Sequence, residues 1–395
     1  MTQPDVVLCS PTRTAIGAYG GSLKATVATD LGSAVIKSTL ERARVGGSAV
    51  DTVIMGNVIQ AGTKMNSARQ AAVHAGLPVT VPAMTINRVC GSGAQAIATA
   101  AQEVMLGFAR CVVAGGMENM DLAPYLELGG RWGHRMGNAI LYDSMLRDGL
   151  HDAFSDQHAG AITEKLVTEY QISREAQDAW ALRSQQRFAA AQEAGNFADE
   201  ITPVEVAGRK GPIQFGRDES NRPETTPETL AKLKPAFSAT GTITAGNAPG
   251  LNSGASAMIV ANRQWADEHD VQPMGRIVAF GVGAVNPTMF GLGPVPAVQQ
   301  ALDRAGWSVS DIERAEINEA FAAIAIAVTR DLGLPEDIIN VDGGAIAHGH
   351  PLGATGAILT TKLLHSMKRD NLRRGLVTLC IGGGQGIALL LETLN

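Results

Sequence analysis

The chain carries the same arrangement twice, and that repetition constrains its fold more than any other feature. Near the N-terminus, ERARVGGSAVDTVIMGN links a helix-like segment to a strand-like one; near the C-terminus, DRAGWSVSDIERAEIN does the same with nearly the same spacing. The first half reads as strand 6–9, helix 31–43, strands 53–56 and 84–89, helix 93–106, and strand 111–114 closing on Gly115 and Gly116. Ile97, Ala101, Val104 and Phe108 form one apolar stripe of that second helix. The second half reads as strand 276–280, helix 295–305 ending on Gly306, strands 314–317 and 339–341, helix 354–367 and strand 376–380. Such alternation predicts an α/β fold with a mostly parallel sheet, built by internal duplication.

Residues 121–251 break the pattern. An amphipathic helix is expected over 174–194, with Ser173 as its N-cap. A polar stretch over 208–229 comes next, holding Arg209, Lys210, Arg217 and Arg222. It reads either as solvated loops or as a lid that brings basic groups to an anionic ligand, and composition favours loops.

Composition excludes several functions. A net charge of −6 and 4% aromatic residues argue against a nucleic-acid binder. Charged residues are only 18% against 45% hydrophobic, which implies extensive buried surface, in a core or between subunits. No uninterrupted apolar run is long enough to span a membrane, and the start lacks a basic, apolar signal segment. The four cysteines, Cys9, Cys90, Cys111 and Cys380, have neither metal nor disulfide spacing and fit a reducing cytoplasm.

Four features carry chemistry. Cys90, in NRVCGSGAQAIA, stands between a strand and a helix, where free N–H groups and the helix dipole favour a thiolate. It is a nucleophile on that reading, and a buried small hydrophobe on the plainer one. GGAIAHGHPLGATG sets His348 and His350 among small residues just before a helix. Either is a candidate base for a thiol or a structural histidine, and a metal lacks a third nearby ligand. In LCIGGGQGIALL, Cys380 ends a strand before three glycines. The run IALLLETL after that turn is too strand-like for a dinucleotide loop, which removes the nucleotide reading. INEAFAA places Asn318 and Glu319 at another strand end. All four lie where open α/β sheets gather ligands. Two thiols, an imidazole and an amide suit acyl transfer with proton abstraction α to a carbonyl.

NRVCGSG, NEAF, GGAIAHGHPLGATG and CIGGGQG, in this order, resemble motifs of the CoA-dependent thiolases, most nearly the bacterial acetyl-CoA acetyltransferase group. RTAIGAYGGSL, GGMENM, TAGNAPGLNSG and GPVPA extend the resemblance over essentially the whole chain. It implies the thiolase fold: duplicated βαβαβαββ halves in a five-layered αβαβα core. The N-terminal half would comprise 1–120 plus 252–272, the inserted loop domain 121–251, and the C-terminal half 273–395.

The resemblance also implies a cycle. Cys90 would take an acyl group from one acyl-CoA, with His350 accepting the thiol proton. Cys380 would deprotonate a second acetyl-CoA, and the carbanion would attack acetyl-Cys90 to give acetoacetyl-CoA. One oxyanion site would be His350 with a water held by Asn318, the other the N–H groups of Cys90 and Gly382. Coenzyme A, a co-substrate and not a resident cofactor, would run past Leu150, His158, Arg222, Leu230, Ala236, Phe237, Ala245, Ala248 and Leu251. Phe290, Ala320 and Phe321 would line its inner end. This assigns the basic insertion to CoA and displaces the loop reading. No metal, nucleic acid or membrane partner is implied. Residues 124–138 resemble the family's tetramer-forming loop, so a cytoplasmic homotetramer is expected.

Pro249, Ala159 and Phe290 depart from the family pattern, which has Ser, Met and commonly Met there; Thr355 replaces a frequent Ser. Ala159 is expected to enlarge the acyl pocket and Phe290 to refill part of it, admitting longer or α-methylated acyl groups. Alternatives are a broader 3-ketoacyl-CoA thiolase of fatty-acid degradation, a decarboxylating condensing enzyme, and a non-catalytic acyl-CoA or lipid carrier.

Overall fold

A computed structural model describes residues 5–208 and 211–394. Among these, a mixed sheet of eleven strands runs through the molecule, nine along one hydrogen-bonded path and two short ones, Gly17–Ala18 and Ile201–Thr202, beside it. The first half supplies β1 (Val6–Thr14), β2 (Thr52–Gly56), β3 (Ala83–Ile86), β4 (Cys111–Asn119) and β5 (Asn252–Asn262). The second supplies β6 (Pro273–Ala284), β7 (Arg314–Ile317), β8 (Arg374–Ile381) and β9 (Gln385–Thr393). The order is β7-β8-β9-β6-β1-β5-β4-β2-β3, with β1 pairing to β6 across the junction of the halves. Outward from that junction β1, β5, β4 and β2 match β6, β9, β8 and β7 in turn, while β3 has only a bridge at Ile339 as its counterpart.

The sheet is less parallel than the alternation suggests. β2 runs parallel to β3 and β4, and β7 to β8, but β5 and β9 return antiparallel to their neighbours. β9 succeeds β8 through the Gly382–Gly384 turn, far too short for the crossover that a parallel pair needs. The strand expected over 339–341 reduces to a single bridge from Ile339 to Ala315, because positive φ at Asn340 and Gly343 turns the chain away.

The helices that frame the site are α1 (Ala28–Ala43), α2 (Ser67–His74), α3 (Ser92–Met105), α4 (Ala159–Glu169), α5 (Arg174–Glu193), α6 (Pro294–Ala305), α7 (Ala322–Leu332) and α8 (Thr355–Arg369). Alternate residues of each strand face opposite layers. Val7, Val53, Met55 and Val113 pack beneath α1 and α2, whereas Leu8, Ile54, Val112 and Ala114 pack onto α3 and α8. Those two helices also carry the inner face of the second half, with Val377, Leu379, Ile387 and Leu389. Its outer face, with Leu376 and Leu390, lies under α6 and α7. The layers are therefore helix, sheet, helix, sheet, helix. At the centre, Gly93 and Gly356 let α3 and α8 meet: a Cβ would lie 2.7 Å from Ala357 N or 2.3 Å from Ala94 N. The stripe on α3 stops at Val104, and Phe108 lies beyond the helix, 79% exposed.

The segment between β4 and β5 is more ordered than a set of loops. Ser173 caps α5 by accepting from Ala176 N–H at 3.1 Å. Part of the polar stretch folds as an antiparallel hairpin, Val204–Gly208 against Gly211–Phe215; Arg209 and Lys210 lie outside the described residues. Arg13 on β1 fastens this segment to the sheet. Fully buried, it donates from Nε to Glu200 at 2.7 Å and from Nη1 and Nη2 to Asp218 at 2.8 and 3.0 Å.

Candidate active site

Cys90 sits in the turn between β3 and α3. Val89, just before it, has φ +43°, a strained conformation for a β-branched residue. The N–H groups of Cys90 and Gly382 both face the sulfur, and lower its pKa. Burial is the larger influence and pushes the thiol up to about 11. The thiolate expected from the helix end is therefore not the resting state, since desolvation outweighs the backbone donors. Ionisation needs a base at hand.

His350 is the candidate for that base. Its N–H donates to Asn252 Oδ1 at 2.9 Å, which fixes the loop. Thr355 donates its hydroxyl proton to Pro351 O at 2.8 Å, so its oxygen accepts from His350 Nδ1–H at 2.7 Å. That choice leaves the lone pair on Nε2, facing Asn318 Nδ2 at 3.3 Å. Burial holds the imidazole neutral, its pKa lowered to about 4. His348 is also buried, but its Nδ1 is engaged with Gly349 O at 2.8 Å.

Asn318 comes directly after β7 and donates its N–H to Thr378 O on β8 at 3.0 Å. Its Oδ1 is buried without a protein partner among the described residues. Cys380, at the end of β8, is buried; desolvation first, and the nearby Cys90 second, hold its thiol well above the ordinary range. The turn after it uses Gly383 and Gly384 at φ +83° and +86°, which leaves Gly382 N–H aimed at Cys90. Glu319 anchors the neighbouring chain, accepting from Trp180 Nε1, Ser184 Oγ, Asn340 Nδ2 and Ile346 N at 2.8–3.0 Å.

An apolar cavity of about 420 Å³ opens onto Cys90, His350 and Gly382. Leu150, His158, Phe237, Ala248, Leu251, Phe290, Ala320 and Phe321 all lie on its wall, as do Ala159 and Pro249. Phe237 stacks on His158 with centroids 4.6 Å apart and meets Phe321 edge-on at 6.0 Å. Four residues expected along the ligand lie off this wall. Ala236, Ala245 and Arg222 are exposed nearby, Ala236 and Ala245 in the two segments that supply Phe237 and Ala248. Leu230 is buried, its carbonyl accepting from Arg174 Nη2 at 2.7 Å. Sequence reasoning missed Met120 and Leu352 on the wall, the orienting role of Thr355, and a buried carboxylate, Glu118, behind Cys90. The last was within reach, because GGMENM stands at a strand end of the duplicated pattern. Among the described residues, no His, Cys, Asp and Glu side chains cluster as a metal site.

Comparison with known proteins gives concordant matches. The family model for the thiolase N-terminal domain matches residues 6–264, and that for the C-terminal domain residues 271–393. Acetyl-CoA acetyltransferase of Pseudomonas aeruginosa is 51% identical over 388 residues, 98% of this chain and 99% of that protein. The crystal structure of Bacillus anthracis acetyl-CoA acetyltransferase superposes with a TM-score of 0.97 at 41% identity, covering 99% of each chain. Human mitochondrial 3-ketoacyl-CoA thiolase in complex with CoA gives a TM-score of 0.95 at 42% identity, covering 99% of this chain and 98% of that one.

Proposed function

The chain belongs to the thiolase family, and we propose that it is an acetyl-CoA C-acetyltransferase, joining two acetyl-CoA into acetoacetyl-CoA and CoA, reversibly. The observation that carries this reading is that Cys90 and His350 share the wall of one apolar cavity, with Cys380 buried beside Cys90 and the His350 ring fixed through Nδ1 by Thr355. In the first half-reaction His350 Nε2 takes the Cys90 proton as sulfur attacks the thioester carbonyl. The carbon–sulfur bond to CoA breaks, and the leaving CoA thiolate takes the Cys380 proton, so that Cys380 is left as thiolate and His350 as imidazolium. In the second, Cys380 as thiolate removes a proton from the methyl group of another acetyl-CoA. The carbanion forms the new carbon–carbon bond to the acetyl carbonyl and expels Cys90 as thiolate, which recovers its proton from His350 Nε2. Charge on the two carbonyl oxygens is met by the N–H groups of Cys90 and Gly382, and by His350 with a water at Asn318. Resting thiols that are neutral suit proton transfer on demand better than a permanently charged nucleophile.

CoA enters as a co-substrate along the Phe237–His158 wall, with Arg222, Leu230, Ala236 and Ala245 toward its outer end. The similarity to the CoA-bound human enzyme supports this seat. A tetramer in the cytoplasm is the matching assembly. Its support is a protruding hairpin, Tyr125–Leu126 against Tyr142–Asp143, whose tip exposes Trp132 and Met136 at 90% and 96%. Apolar side chains so exposed belong against a partner. No helix among the described residues is long and apolar enough to cross a membrane.

A broader 3-ketoacyl-CoA thiolase is the second reading, favoured by Ala159 lying on the cavity wall with Phe290. The deciding experiment is CoA-dependent loss of acetoacetyl-CoA beside 3-ketohexanoyl-CoA and 2-methylacetoacetyl-CoA, with Cys90→Ala as control. Cleavage of acetoacetyl-CoA alone supports the short-chain reading, and comparable rates on all three support the broader one. Absence of Cys90-dependent turnover would defeat both and leave a carrier.

A further inference from the structure

The duplication gives each strand-end position in one half a counterpart in the other. Gly56 ends β2 and pairs with Gly116 of β4, while Ile317 ends β7 and pairs with Thr378 of β8. The next residues are Asn57 and Asn318; two positions beyond the paired residues stand Glu118 and Cys380. Glu118 is thus the counterpart of Cys380, and Asn57 that of Asn318. One half keeps the reacting groups, and the other holds a carboxylate at the same level.

That carboxylate is fully buried and saturated with donors. Asn57 Nδ2 reaches Oε1 at 2.8 Å and Ile59 N–H at 3.2 Å; Val58 N–H reaches Oε2 at 3.0 Å and Gly353 N–H at 2.8 Å. Val58 and Ile59 belong to the apolar cluster that encloses Cys90. Gly353 lies in the His350 loop, where a Cβ would sit 2.8 Å from Asn57 Cα and 2.9 Å from Glu118 Oε2. One side chain therefore ties the wall behind the nucleophile to the loop that carries the base.

We propose that Glu118 is a positioning residue of the catalytic centre, holding the Cys90 wall and the His350 loop in register and governing through its charge how readily Cys90 ionises. The inference rests on the thiolase reading given under Proposed function. The residues bonded to Glu118 carry no charge, and among the described residues it is the ionic neighbour that acts on Cys90. Of the other titratable groups at the site, His350 stays neutral down to about pH 4 and Cys380 stays protonated. Burial raises Glu118 to about 7, opposed by its four donors, so its charge changes in the working range.

The test compares wild type, Glu118→Gln and Glu118→Asp by thermal melting, by steady-state thiolysis of acetoacetyl-CoA, and by the pH dependence of Cys90 alkylation with iodoacetamide. Both variants should lose about tenfold or more in kcat, with KM for CoA changed less than about twofold. In Glu118→Gln the alkylation midpoint should fall by about half a pH unit or more, because a negative charge near the thiol is gone. In Glu118→Asp it should stay near the wild-type value. A melting temperature that falls while kcat and midpoint stay at wild-type values would overturn the proposal, as would no change at all. If neither variant folds, wild-type alkylation decides: two inflections, one near pH 7, support it, and a single inflection overturns it. Wild type that lacks thiolysis yet shows Glu118-dependent alkylation would defeat the thiolase reading and not this inference.

Discussion

His350 Nδ1 lies 2.7 Å from Thr355 Oγ1, and that contact decides which nitrogen of the imidazole carries the proton. Thr355 donates its own proton to Pro351 O, so it accepts from Nδ1–H and leaves the lone pair on Nε2, the nitrogen proposed as the base. Thr355→Val removes the acceptor and strands a buried N–H, which favours the other tautomer. We expect kcat to fall about 10- to 100-fold, within the range that a positioned acid–base group supplies. KM for CoA should hold, and Thr355→Ser should restore the rate. A valine variant with wild-type kcat would show that the threonine does not orient the base.

Arg13 couples the insertion to β1 through an ion network with no solvent to rescue it. Breaking a buried pair leaves an uncompensated charge, which costs more than the intact network contributes. Asp218→Asn should therefore destabilise by about 3–5 kcal/mol in chemical denaturation. The triple change Arg13→Met, Glu200→Gln and Asp218→Asn should recover part of that loss, because no charge is then stranded. Equal stability of wild type and Asp218→Asn would show that the network does not hold the insertion in place.

Glu316 has two buried carboxylate oxygens without a protein partner among the described residues. Desolvation raises it to about 8; Lys362 and Arg314 oppose the shift, and Asp342 and Glu319 add to it. Linkage sets the sign. A carboxyl raised in the folded state contributes stability that is present below its unfolded pKa and lost as pH rises through the folded one. Wild type should lose stability between about pH 5 and 8 from this group. Glu316→Gln should flatten that loss, melting about 2 °C or more above wild type at pH 8 and much closer to it at pH 5. Parallel melting curves against pH would contradict the assignment.

Periodicity and local chemistry make part of this site legible from sequence. The strand ends carrying Cys90, Asn318 and Cys380 are readable because each sits where an apolar run meets glycine or a helix. The protonation state of Cys90 is not, because burial on every side outweighs the helix end and no local pattern encodes it. Thr355 reads as a neutral replacement for serine; its role depends on a backbone carbonyl four residues away. The hairpin that starts at Val204 is hidden by its shortness: Val204 and Val206 alternate with exposed Glu205 and Ala207, but the partner strand Gly211–Phe215 is exposed up to Phe215 and lacks alternation. Ile339 fails as a strand for the opposite reason: its apolar neighbours promise more pairing than the turn at Asn340 allows.

Ala159 stands at the first turn of α4, on the cavity wall with Phe290 and Ile162, next to the His158–Phe237 stack. A longer side chain at that position projects into the space beside Phe290. Each methylene excluded from an apolar pocket alters discrimination by about 1–3 kcal/mol, or roughly 10- to 200-fold. Ala159→Met should therefore shift the ratio of acetoacetyl-CoA to 3-ketohexanoyl-CoA thiolysis toward the short substrate by about tenfold or more. The loss should fall on kcat/KM for the long and α-methylated substrates, with acetoacetyl-CoA nearly unchanged. Phe290→Ala should move the ratio the other way, by opening the wall beside it. If both ratios stay at the wild-type value, the acyl chain does not occupy this arm of the cavity, and selectivity must come from the Met120 and Leu352 side of Cys90.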